Sequence, residues 1–200
     1  MAADTPIAAA RRPSAAKVKL LEVADRLFYS EGIHTVGIDR IIAEAGVTKA
    51  TFYKQYGSKD TLILAYIHGR DREVRDSLTQ LARTSTSPEQ TLRSLIEGII
   101  ADLGRRDFRG CPFLNAAAEF FDEHHPVRLA ITDHRDWFTE FLESRLQEMG
   151  HPAPGAAADE LYLLRDGAMG GGYAGDPIAA TSALHRAADR LLAEAAAATS

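Results

Sequence analysis

A chain of 200 residues, 46% of them apolar and with a formal net charge of −5, can bury one substantial core, or one small domain beside a medium one. No window approaches the roughly 18 uninterrupted apolar residues of a membrane span, and "MAADTPIAAARRPSAAK" carries its arginines after a weakly apolar stretch, the reverse of a secretion signal. A single cysteine, Cys111, excludes an internal disulfide, so the expectation is a cytoplasmic protein with no membrane partner.

The charge is uneven. Residues 1–60 hold nine Lys and Arg against seven Asp and Glu, a formal +2, which leaves −7 on the remainder. Any polyanion is expected to meet the N-terminal head.

Apolar residues recur at three and four rather than two, so the chain reads as all-α. Residues 1–13 are expected to form a disordered arm. A first helix follows from about Ser14 to Ser30, with Leu20, Leu21, Ala24, Leu27 and Phe28 on one stripe and Gly32 as its stop. "GIDRIIAEAG" encloses a helix of about two turns, too short to stand alone. Thr48 is a natural N-cap for another short helix to Tyr56, which Gly57 ends, and Ser58 caps a long one from Lys59 to about Arg83. "SPEQ" is a capping box, with Ser87 as N-cap, Pro88 at N1 and Gln90 at N3. Further helices are expected from Pro112, from Pro126 to Gly150, from about Ala157 to Tyr173, and from Pro177 with Asp176 as cap. No period of 20 to 50 residues repeats, which argues against a solenoid.

Two short helices joined by "AGVTK" after a longer first helix have the layout of a helix-turn-helix. Its second helix enters the major groove, so it needs an apolar inner face and an outer face of hydrogen-bond donors. Val47, Phe52 and Tyr56 are expected inside, with Lys49, Ala50, Thr51, Tyr53, Lys54 and Gln55 outside or on the rim. Ala50 is small enough for close approach to bases, and Lys59 adds a charge at a helix N-terminus.

Residues 17–67 resemble the DNA-binding domain of TetR-family transcriptional regulators: "AGVTKATFY" followed by "YGSKDTL" keeps that family's spacing. The resemblance implies an N-terminal three-helix DNA-binding domain over 14–60 and a regulatory, ligand-binding and dimerisation domain over 61–200. It implies a homodimeric repressor, not an enzyme and without a cofactor, released from near-palindromic double-stranded operator DNA by a small-molecule effector. Thr48, Lys49, Ala50, Thr51, Tyr53, Lys54 and Gln55 are the implied operator contacts, with Tyr53 and Lys59 on phosphates. Arg40 and Lys17 or Lys19 are flanking candidates. Gly37 departs from the family pattern, which has Thr or Ser capping the second helix.

"RGCPFLNAAAEF", residues 109–120, resembles one subgroup of the family. Phe113, Phe120, Trp137, Phe138 and Phe141, with Asn115 and Glu119 as polar groups, are expected to line an apolar effector pocket, with plain core as the alternative for each aromatic. "GGGYAG" matches a nucleotide-binding pattern, but no strand precedes it. Its small residues are instead expected to let helices of two subunits approach, with the eighth helix broken or kinked there. "FDEHHP" and "TDHRDW" gather Asp122, Glu123, His124, His125, Asp133 and His134, the basis of a rival reading as a metal-binding bundle or small all-α enzyme. A solvated turn is the expected form, so no metal site and no catalytic residue is assigned. Cys111, near Arg105, Arg106 and Arg109, is expected to be a buried small residue rather than a reactive thiol.

Overall fold

A computed structural model describes residues 13–198, with side chains to 195; apart from Pro13, the expected N-terminal arm lies outside the described residues. Among them the secondary structure is helical throughout: α1 (Ala15–Glu31), α2 (Ile38–Ala45), α3 (Lys49–Tyr56), α4 (Lys59–Thr84), α5 (Pro88–Leu103), α6 (Pro112–Glu119), α7 (Pro126–Glu148), α8 (Pro154–Ala174) and α9 (Pro177–Ala198).

Local chemistry sets the boundaries. Ser14, Thr48, Ser58 and Ser87 each accept the backbone N–H three residues on, at 3.2, 3.1, 3.1 and 3.1 Å, which satisfies a donor that the helix itself cannot. The capping box of α5 is displaced by one residue: Gln90 Oε1 accepts from the backbone N–H and hydroxyl of Thr86, not from Ser87. Asp176 accepts from Ile178 N and Ala179 N at the start of α9. Helix α8 begins at Pro154, earlier than the expected Ala157, because proline at N1 has its φ already set and no N–H to lose.

Two cores result. One joins α1–α3 to the first half of α4, with Leu20, Leu27, Ile41, Phe52, Leu62 and Ile67 essentially inaccessible, and continues into Cys111, Phe113, Ala116 and Val127. The other lies among α5, α7, α8 and α9 around Leu92, Phe138, Leu142, Leu146, Leu161 and Leu184. Helix α4 contributes to both, with Tyr66 and Ile67 in the first and Leu78 in the second. A cut at residue 60 therefore separates the first turns of α4 from the core they fill.

Helix α8 runs unbroken through its glycines to Ala174, against the expected break. The glycine run answers a contact within the chain: a Cβ on Gly172 would lie 2.6 Å from Leu103 Cδ2 of α5, and one on Gly171 3.9 Å from Ala180 Cβ of α9. Close helix packing outweighs the helix-propensity cost of about 1 kcal/mol per glycine.

Candidate nucleic-acid interface

The turn between α2 and α3 depends on Gly46, at φ 65°, whose N–H and that of Val47 return to the carbonyls of Ala43 and Ile42. That left-handed residue suits glycine, which has no Cβ to clash. Beneath α3, Phe52 is fully buried and Tyr56 nearly so, and the Tyr56 hydroxyl donates to Lys17 O at 2.9 Å, fastening α3 to α1. Burial raises the Tyr56 pKa, so the phenol remains a donor.

With that inner face fixed, Thr48, Lys49, Ala50, Tyr53 and Lys54 are exposed, and Thr51 and Gln55 are half-buried. Tyr53 is 47% exposed and sets its ring edge-on to Phe52, 5.3 Å between centroids. Thr48 and Thr51 share a hydroxyl contact at 2.9 Å, and Lys49 Nζ lies 3.2 Å from Asp39 on α2 in a pair open to water. Exposed pairs of this kind are weak and exchangeable.

Lys59 is half-buried, and its ammonium has a partner within the head: Nζ donates to Ile33 O at 2.6 Å and lies 5.9 Å from the Phe28 ring centroid. Burial lowers its pKa, against the opposing pull of Glu119 and Asp60. The flanking candidates are also engaged. Arg40 makes a two-point contact with Glu31, at 2.5 and 2.9 Å, and a third with Glu44; Lys17 sits over Tyr56, and Lys19 pairs with Glu22. At the N-terminus of α2, Gly37 makes no side-chain cap, as its identity requires.

Of the seven residues expected to line an effector pocket, Phe138 lines a cleft between α4, α5 and α8, and the other six are put to separate uses. Phe113 stacks on His134 with centroids 3.6 Å apart, and Phe120 packs against His34 and His125. Exposed Asn115 donates to Arg109 O, while Trp137 holds Arg75 over its ring and lies beside Phe141. Glu119 ends α6 by reaching the DNA-binding head: its two carboxylate oxygens accept from Ile33 N at 2.8 Å and His34 N at 2.7 Å. Carboxylate, loop backbone and Lys59 thus form one bracket between the body and the α1–α2 turn, where Gly32 takes φ 94°.

The acidic histidine cluster disperses. His125 caps α7 through Val127 N, exposed His124 lies near Glu123, and His134 turns inward with its Nδ1 2.8 Å from Asp71 on α4. Among the described residues no group of three or more His, Cys, Asp or Glu is arranged to hold a metal ion. Asp71 feels its own burial, which raises its pKa, but His134 and Arg75 overcome this and hold it low. The His134 pKa is depressed by burial despite Asp71, so the ring is neutral, and its Nε2 has no partner.

The sequence reading missed the buried charge of Arg165. The signal for Arg165 was available: it follows Leu161 and Tyr162 and precedes Ala168 and Met169 at helical spacing, so a charge sits on the buried stripe of α8.

Comparison with known proteins agrees with this geometry. Residues 20–66 match the family described as bacterial regulatory proteins, tetR family, and residues 88–171 match the tetracyclin repressor-like C-terminal domain. The HTH-type transcriptional regulator LmrA of Bacillus subtilis is 24% identical over 135 residues, which cover 66% of this chain and 71% of that protein. The crystal structure of a TetR-family transcriptional regulator from Streptomyces coelicolor is 40% identical, with a TM-score of 0.87 over 92% of this chain and 97% of the other. A putative regulator of the same type from Streptomyces avermitilis is 26% identical, with a TM-score of 0.72 over 88% of this chain and 99% of the other. Fold, turn geometry and both matched regions place this chain in the TetR family of transcriptional regulators, DNA-binding proteins rather than enzymes.

Proposed function

We propose that the protein is a cytoplasmic repressor that grips a near-palindromic operator as a homodimer and lets go when a small effector enters its C-terminal body. The observation that carries this reading is the outward face of α3, where Thr48, Lys49, Ala50, Tyr53 and Lys54 stand exposed over buried Phe52 and Tyr56. A helix so presented fits the major groove, Lys49 and Thr51 reading base edges and Tyr53 and Lys54 positioning it on phosphates. Gln55 stands at the rim of the same face. Lys59 steadies the α1–α2 turn through Ile33 O and keeps further N–H donors for a phosphate.

Homodimerisation is supported by the outer face of α8 and α9, where Leu163 is 67% exposed beside Gly167, Ala179 and Ala183. An apolar face of this kind suits a two-fold contact, and a two-fold protein reads a two-fold site. Effector control is supported by a cleft of about 540 Å³ walled by α4, α5, α7 and α8, because α4 also closes the core beneath α3. By linkage, effector and operator then weaken each other equally.

The test is a gel shift against DNA upstream of the protein's own gene, paired with sedimentation. Specific retardation of a near-palindrome by a dimer is the expected result, and Leu163→Asp should lose both dimer and shift. A stable monomer with full operator affinity, or no specific retardation of the upstream DNA, contradicts the reading.

A further inference from the structure

The floor of the cleft between α4 and α5 carries a buried charge, Arg165. Arg165 is 91% buried by its 9% relative exposure, and its Nη1 donates to Asp166 at 2.7 Å and to Cys111 Sγ at 3.2 Å. The same Asp166 carboxylate accepts from Arg135 Nη1 at 2.7 Å, so two guanidinium groups share one carboxylate. Arg165 thus shares its one carboxylate with Arg135, whose side chain is 36% exposed, so the deeper of the two guanidinium groups has only part of a counter-charge. Aromatic rings of Phe138 and Tyr162 lie 5.6 and 5.9 Å from the Arg165 guanidinium carbon. Among the described residues its Nε and Nη2 have no hydrogen-bond partner.

The cleft that Arg165 lines is otherwise mainly apolar, with Val74, Leu78, Leu95, Ile99, Phe138 and Met169 on its walls. Glu73 and Asp102 also line it, and each already has an arginine, Arg70 at 3.8 Å and Arg105 at 3.4 Å. The built feature is therefore a hydrocarbon-lined space with one deep cationic fork.

We propose that this cleft takes an amphipathic organic anion, its carboxylate seated on the Nε–Nη2 edge of Arg165 and its hydrocarbon or aromatic body among the apolar side chains of α4, α5 and α8. A guanidinium edge matches a carboxylate at two points, and the ligand fills the Nε and Nη2 donors that the protein leaves without a partner. The inference rests on the effector reading above, and adds to it the chemical class of the ligand.

The experiment is calorimetric titration with matched probes: sodium decanoate against 1-decanol, and 2-naphthoate against 2-naphthalenemethanol. At least one carboxylate should bind about tenfold or more tighter than its alcohol, the factor expected for a hydrogen bond to a charged group. Arg165→Gln should bring that ratio close to one, and Arg165→Lys, which keeps the charge but loses the fork, should leave a partial preference. Gly98→Phe, at a position where a Cβ meets nothing within 4 Å, should weaken every probe by filling the cleft, with its melting temperature checked against wild type. If Arg165→Gln does not fold, the lysine and phenylalanine variants decide the question.

Alcohols that bind as tightly as their carboxylates, or a preference that survives Arg165→Gln, would overturn the proposal. A preference absent from the wild type but present in Cys111→Ala would also overturn it, by assigning the balancing charge to the Cys111 sulfur. Operator release is measured separately. A carboxylate that binds through Arg165 yet leaves the operator complex intact keeps this site and contradicts the effector reading. An uncharged compound that releases the operator from wild type and Arg165→Gln alike does the reverse.

Discussion

The head and the body of this regulator solve the problem of charge in opposite ways. In the head, Arg40 with Glu31 and Glu44, and Lys49 with Asp39, lie over an apolar core and remain open to water. In the body, His134, Asp71, Arg165 and Asp166 are drawn inside and hold one another between α4, α7 and α8. Surface pairs exchange readily for a phosphate, whereas buried groups fix geometry and respond when one partner changes. The difference fits a reader that meets a polyanion and a sensor that meets a small molecule.

The comparison is broken most severely from the reader's core. Phe52→Ala, at a fully buried site, should cost about 3–5 kcal/mol in urea unfolding and abolish operator binding with it. A loss below about 1 kcal/mol would show that α3 does not lean on Phe52.

Next is the bracket between the two regions. Glu119→Gln keeps the shape but leaves one acceptor oxygen for the two donors Ile33 N and His34 N, so one bond becomes neutral and the other N–H faces an amide donor. A stability loss of about 1–2 kcal/mol is expected, together with a smaller effect of effector on operator affinity. Unchanged coupling between the two ligands would remove Glu119 from the connection and leave α4 as the route.

A smaller effect separates the regions by pH. Burial depresses the His134 pKa, so the unfolded chain takes up a proton at a higher pH than the folded one. Its contribution is complete above the unfolded value of about 6.5 and is lost as pH falls from there toward the folded value. Asp71, held low in the fold, adds its own loss only below about 4, where its unfolded form protonates. Thermal melts at pH 7.5 and 5.5 should show acid destabilisation that His134→Gln reduces. Equal pH dependence in the variant would contradict the assignment.

Legibility follows the same division. The helical fold and the inner and outer faces of α3 could be read because capping residues, glycines and the spacing of Phe52 and Tyr56 act over a few neighbouring positions. The contact of Lys59 was not legible because its partner, the Ile33 carbonyl, is 26 residues away and is a backbone atom without a side-chain signature. The contacts of Glu119 were hidden for the same reason: the loop amides that it holds lie 85 and 86 residues earlier. The glycines of α8 were correctly read as a site of close approach, but periodicity cannot say whether the approaching helix belongs to the same chain. Leu103 shows that for Gly172 it does.

The central claim is that α3 reads bases from its exposed face, and Lys49→Ala tests it most directly. Binding of wild type and variant should be measured by fluorescence anisotropy, at one salt concentration, across operators that differ by single base pairs in each half-site. The account predicts that Lys49→Ala flattens the preference at one position per half-site, by about 1–3 kcal/mol, and leaves the ranking of the other positions unchanged. A uniform loss at every position would make Lys49 a phosphate contact, and no loss at all would place α3 outside the groove.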